Sequence, residues 1–119
     1  EVMTCVREKI PAIAVVFNNG QWGAEKKNQV DYFENRFLGT NLQNPNFADV
    51  AEAMGAQGLT VEHVDEVGDA LRAAVRSNKP TVINMMLTQE LGDPFRRDAF
   101  RQPQRLLPKY RKHSAKQYR

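Results

Sequence analysis

Six consecutive residues carry the most chemistry in this chain: Asn18, Asn19, Gly20, Gln21, Trp22 and Gly23, directly after an apolar run at residues 12–17. They are small, polar and turn-forming. Gly20 and Gly23 let the backbone approach a ligand closely. Asn19 offers a side-chain carbonyl and Gln21 a main-chain carbonyl. Neutral oxygens of this kind suit a hard cation such as Mg²⁺ that also holds a phosphate ester. A site of that type needs at least one carboxylate from elsewhere. Taken alone, Asn-Asn-Gly is also ordinary turn chemistry that stops a strand.

The other reactive side chains are scattered. His63 and His113 are far apart and poorly accompanied, so they suggest no metal site. No HExxH, CxxC, GxSxG or Walker pattern is present, which disfavours zinc hydrolases, thiol redox proteins, α/β-hydrolases and P-loop NTPases. The single cysteine, Cys5, cannot form an internal disulfide, which favours a reducing compartment. Arg96 and Arg97, beside Asp93 and Asp98, read equally as an anion clamp or as an interface salt-bridge network. Tyr110 among basic residues is one aromatic, not the interleaved stacking platform of a single-strand binder.

These residues need elements to position them. Residues 1–9 read as part of a helix with Val2, Cys5 and Val6 on one face, ended by Pro11. Residues 12–17 are continuously apolar and rich in β-branched types, as in parallel strands buried on both faces. Residues 22–37 suggest a helix or loop-helix, and 39–46 a polar loop. Asn46 can cap a helix with Phe47, Val50, Ala51 and Met54 on one face, terminated by Gly55. Residues 58–64 suggest a short strand running into a turn. Asp65 is expected to cap the next helix, with Val67, Leu71, Ala74 and Val75 facing inward. Residues 81–87 form a second long buried strand. The alternation predicts an α/β fold: a mostly parallel sheet covered by helices, with right-handed crossovers. In open sheets of this class ligands bind beyond the carboxyl ends of the strands, where Asn18 to Gly23 stand.

The 119 residues suffice for one domain. With 41% hydrophobic and 26% charged residues the composition is globular rather than disordered. No apolar run approaches the roughly 20 residues that span a bilayer, so no membrane partner is expected. Charge divides unevenly. Residues 92–119 hold nine Lys or Arg against two Asp or Glu, a net of +7, and the remainder holds eight against twelve, a net of −4. The body, residues 1–91, is thus acidic, and 92–119 form a basic C-terminal extension. With Pro94, Pro103 and Pro108 that extension is expected to be irregular. It can touch phosphates, nucleic acid or an acidic neighbouring surface, or it can be a solvated, subunit-clasping arm.

The stretch from Ala12 to Gly23, AIAVVFNNGQWG, resembles the second half of the thiamine diphosphate motif. That motif opens with Gly-Asp-Gly and closes with Asn-Asn after an apolar strand. NNGQWGAEKKNQ from Asn18 and TQELGDPFRRDA from Thr88 are similar, more specifically, to the sulfoacetaldehyde acetyltransferase branch of the acetolactate synthase superfamily. The resemblance implies part of a three-layer, parallel-sheet domain that binds the diphosphate side of the cofactor. It implies Asn19 as side-chain ligand of Mg²⁺, Gln21 as main-chain ligand, and Gly20 and Trp22 lining the loop beside the diphosphate.

Two departures matter. The Gly-Asp-Gly half, with its metal-binding Asp, is not in this sequence, and no residue matches the Glu that activates the cofactor's aminopyrimidine in this superfamily. The chain alone is therefore expected to be inactive, a fragment with an exposed sheet edge. The implied parent enzyme is cytoplasmic and homo-oligomeric. It converts sulfoacetaldehyde and inorganic phosphate to acetyl phosphate and sulfite, as in taurine and sulfonate breakdown. Both substrates are anions, and Arg96 and Arg97 are the candidates to hold them. The other readings are a different acetolactate synthase-type enzyme, or a non-catalytic module with a basic tail. Nucleic acid is the less favoured partner, because the body is acidic.

Overall fold

The computed structural model describes residues 1–92. The basic extension beyond Gly92, including Arg96 and Arg97, lies outside the described residues.

Three strands form one wholly parallel sheet: β1 (Ile13–Asn18), β2 (Gln57–Val61) and β3 (Thr81–Met86), in the order β1-β3-β2. Ile13 and Gln57 both pair with Thr81, and Val15 and Leu59 both pair with Ile83. β3 is central, and its residues Thr81, Val82, Ile83 and Asn84 are all buried. The path from β1 to β2 runs one way across the sheet, and the path from β2 back to β3 runs the other. Crossovers of one hand then require helices on opposite faces, and this is their placement. On one face, α4 (Val67–Ser77) sets Val67, Ala70 and Ala74 against Ile13, Val15, Leu59, Val61 and Ile83. On the other, α3 (Phe47–Ala53) lies so close to β2 that a Cβ on Gly58 would collide with the Ala48 carbonyl. The result is three layers, as the alternation predicts.

α1 (Val2–Arg7) carries half-buried Val2, Cys5 and Val6, and it stops before Pro11 with Lys9 at φ +54°. α2 (Gly23–Tyr32) ends well short of residue 37. Asn46 caps α3 by accepting from the Ala48 N–H at 2.9 Å, as expected. No described helix is long and apolar enough to cross a membrane.

Three sequence expectations are corrected. Val75 is 67% exposed and Leu71 38% exposed, so the inward stripe of α4 is Val67, Ala70 and Ala74. Val67 and two alanines meet the sheet, and the larger Leu71 and Val75 lie off that contact. Asp65 does not cap α4. It sits inside a 3₁₀ turn at Val64–Glu66, and Glu66 accepts from the Glu62 and His63 N–H groups, both at 3.1 Å. Those bonds, led by the one from His63, hold the Glu66 carboxyl below its ordinary range. Finally, β1 is not buried on both faces: Ala14 is exposed and Phe17 is 66% exposed, because β1 is an edge strand of this sheet.

The contact of Gly58 with α3 leaves no room for a methyl group. Gly58→Ala should lower stability by about 1–3 kcal/mol through overpacking, read as a lower urea midpoint with an unchanged slope.

Candidate functional site

The loop that leaves β1 is built from a buried asparagine outward. Asn18 is the last residue of β1 and is 5% exposed. Its amide donates to Asn84 Oδ1 at 3.1 Å, within β3. Its own Oδ1 accepts from the Gly20 N–H at 3.3 Å and from Asn44 Nδ2 at 2.9 Å. The Leu87 N–H donates to the Asn18 carbonyl at 3.0 Å. Asn18 therefore ties together the ends of β1 and β3, the polar loop before α3, and the turn that follows it.

The turn itself is fixed by two more devices. Gly20 takes φ +63°, a region that favours glycine. Asn19 Oδ1 accepts from the Gln21 N–H at 3.1 Å, closing an Asx turn. The segment then pairs with residues 40–42. The Trp22 N–H donates to the Thr40 carbonyl, and the Leu42 N–H to the Gly20 carbonyl, both at 2.8 Å. The Gln21 main-chain carbonyl receives no hydrogen bond from the described residues. Trp22, 57% exposed, ends the turn, and α2 begins at Gly23.

The Gln21 side chain is 5% exposed. Its amide donates to the Gln89 carbonyl at 2.9 Å, and its Oε1 accepts from Lys26 Nζ at 3.0 Å. Lys26 Nζ also donates to Asn41 Oδ1 at 2.9 Å and lies 5.6 Å from the centre of the Phe37 ring. Further along α2, Gln29 holds the returning segment. It donates to the Leu38 carbonyl at 3.0 Å, and it accepts from the Leu38 N–H at 3.1 Å and from Thr40 Oγ1 at 3.2 Å.

Asn19, Gly20, Gln21 and Trp22 thus stand in one ordered turn at the carboxyl end of the sheet. Arg96 and Arg97 lie outside the described residues. Sequence reasoning missed Asn84, Asn41, Asn44, Lys26 and Gln89. A signal existed for Asn84: a lone amide in the apolar run at residues 81–87 needs a buried partner. Lys26 and Asn41 stand 15 residues apart in a loop-rich stretch and left no such signal.

The thiamine pyrophosphate enzyme C-terminal TPP-binding domain matches residues 1–85. The chain belongs to that family. Its whole length but a few residues is also similar to sulfoacetaldehyde acetyltransferases: 54% identity over 96% of the chain with that of Castellaniella defragrans, and 53% over 93% with that of Alcaligenes xylosoxydans xylosoxydans. The chain spans 20% and 19% of the length of those two relatives. The fold is similar to that of the benzoylformate decarboxylase of Polynucleobacter necessarius, with a TM-score of 0.69 and 30% identity over 76% of this chain and 17% of that one.

A TPP-binding domain implies a diphosphate, and the donor set of the loop fits a cation that carries one. Asn19 Oδ1 has a second lone pair beyond the one its Asx turn uses. The Gln21 carbonyl is the other hard, neutral oxygen. The described residues contain no group of three or more His, Cys, Asp or Glu side chains placed to hold a metal.

The loop depends on the Asn18–Asn84 pair. Asn18→Ala should cost about 1–3 kcal/mol, the penalty for leaving Asn84 Oδ1 buried without its donor. The urea midpoint of Asn18→Ala, Asn84→Ala and the double variant should show the two losses to be markedly less than additive.

Proposed function

We propose that this chain is the diphosphate-binding portion of a sulfoacetaldehyde acetyltransferase, working within a longer polypeptide. The single observation that carries the reading is the ordered loop at residues 18–23, inside a chain 54% identical over 96% of its length to one such enzyme. The overall reaction is sulfoacetaldehyde plus phosphate to acetyl phosphate plus sulfite. Bound thiamine diphosphate supplies a nucleophilic carbon for the carbonyl substrate and a sink for the electrons released.

The work of this chain is to hold and orient. Asn19 Oδ1 and the Gln21 main-chain carbonyl are the ligands for Mg²⁺, with a carboxylate from outside the described residues completing the set. The Asx turn and the positive φ of Gly20 fix the spacing of those two oxygens before any ligand arrives. Trp22 and Gly20 line the same turn. The parent enzyme is taken to be a cytoplasmic homo-oligomer. Arg96 and Arg97 are assigned to the substrate anions on their charge and on their place in the distinctive stretch from Thr88.

The whole protein, supplied with thiamine diphosphate and Mg²⁺, should form sulfite and acetyl phosphate in equal amounts from sulfoacetaldehyde and phosphate. Chelation of the metal should abolish the reaction. Formation of acetolactate from pyruvate, with no need for phosphate, would move the chain to another branch of the family. Replacing Arg96 and Arg97 together by alanine should raise KM for sulfoacetaldehyde or for phosphate at least about tenfold, the scale of a lost charge-assisted contact. Unaltered KM values for both would remove the pair from the site.

A further inference from the structure

Lys26 is an ammonium group seated on neutral amides. It lies in the first turns of α2, half-buried, with Nζ at 3.0 Å from Gln21 Oε1 and 2.9 Å from Asn41 Oδ1. The ion pairs among the described residues are Arg7–Glu8, Lys27–Asp31 and Arg72–Asp69. Lys26 belongs to none of them. A lysine whose role was solubility would keep its head in water. This one is half-buried and donates to two carbonyl oxygens.

What the two contacts accomplish follows from Gln21. The Gln21 side chain is gripped at both ends, its amide by the Gln89 carbonyl and its Oε1 by Lys26. Asn41, on the other side of Lys26, belongs to the segment paired with Gln21. One ammonium therefore joins the turn, the returning segment and α2. It braces the turn at Gln21, whose main-chain carbonyl receives no hydrogen bond from the described residues. We propose that Lys26 is a positioning residue: by tying Gln21 to Asn41 it holds the Gln21 main-chain carbonyl ready for the cation that carries the cofactor diphosphate. This rests on the metal assignment made above for Asn19 and Gln21. Groups that orient metal ligands from behind typically contribute 10–100-fold to metal affinity.

The test is calorimetric titration of thiamine diphosphate into the whole protein over a series of Mg²⁺ concentrations, which needs no turnover. Lys26→Met keeps the length of the side chain and removes the charge and donors. It should raise the Mg²⁺ concentration for half-maximal cofactor binding about tenfold or more. Lys26→Arg should recover a substantial part of the loss, because it restores donors to both amides. Asn41→Ala, at an exposed residue that does not threaten folding, should give a smaller shift in the same direction. Lys26→Met and Asn41→Ala both matching wild type overturns the inference while Asn19→Ala still shifts the Mg²⁺ requirement. If Asn19→Ala also matches wild type, the metal assignment itself fails, and the role given to Lys26 goes with it. A Lys26→Met shift that arginine does not relieve at all, with the melting temperature of the metal-free protein lowered, assigns Lys26 to packing and also overturns the inference.

Discussion

The structure turns on one buried amide pair. Asn18 ends an apolar strand and Asn84 sits in the middle of another, and each is almost fully removed from water. Such groups cost free energy unless they are bonded. They meet at 3.1 Å, and no buried side-chain nitrogen or oxygen among the described residues is left without a partner. An apolar pair at these positions would pack as well but fix nothing. The amide pair can form only when the carboxyl ends of β1 and β3 are in register, and it leaves Asn18 Oδ1 aimed at the turn that follows.

From that anchor the loop grows by short-range constraints. The Gly20 N–H and the Asn44 amide share Asn18 Oδ1, so the turn and the loop before α3 are organised by one atom. The Asx turn of Asn19 then sets the direction of Gln21. Packing contributes at a distance: the close approach of α3 to Gly58 and the small-residue stripe of α4 hold the sheet that presents β1 and β3 side by side. α2 contributes little to the apolar core. It is attached through Lys26 and Gln29, by polar bonds to the 38–41 segment.

Much of this was legible in the sequence, for identifiable reasons. The strands declared themselves through the apolar runs at residues 12–17 and 81–87, the second broken only by Thr81 and Asn84, and α3 through its cap Asn46, although the spacing included exposed Met54 and passed over buried Ala48. Turn chemistry placed Asn19, Gly20, Gln21 and Trp22 together at a strand end. The face of α4 was read correctly at Val67 and Ala74 and wrongly at Leu71 and Val75, which outrank Ala70 in hydrophobicity and drew the expected stripe away from it. The exposure of β1 was legible only in part: an exposed sheet edge was expected, but not from the composition of this strand. Its composition encodes burial on both faces, but the three-stranded sheet gives it only one neighbour. The link from Lys26 to Asn41 was not legible, because nothing in a local window connects the two positions.

The choice of side chains has a consequence for how the site behaves. Asn18, Asn19, Gln21, Gln29, Asn41, Asn44 and Asn84 make up nearly the whole polar framework of the loop. Each amide both donates and accepts, so the set can satisfy itself without bound counter-ions. None of them titrates, so the shape of the turn is independent of pH across the range in which carboxylates and histidines change charge. The two oxygens proposed as cation ligands, Asn19 Oδ1 and the Gln21 carbonyl, are neutral, so under that proposal the charge of a metal–diphosphate unit would be balanced by groups elsewhere. The single formal charge inside the framework is that of Lys26. A neutral amide framework with one lysine behind it therefore keeps the turn in shape with no change in protonation.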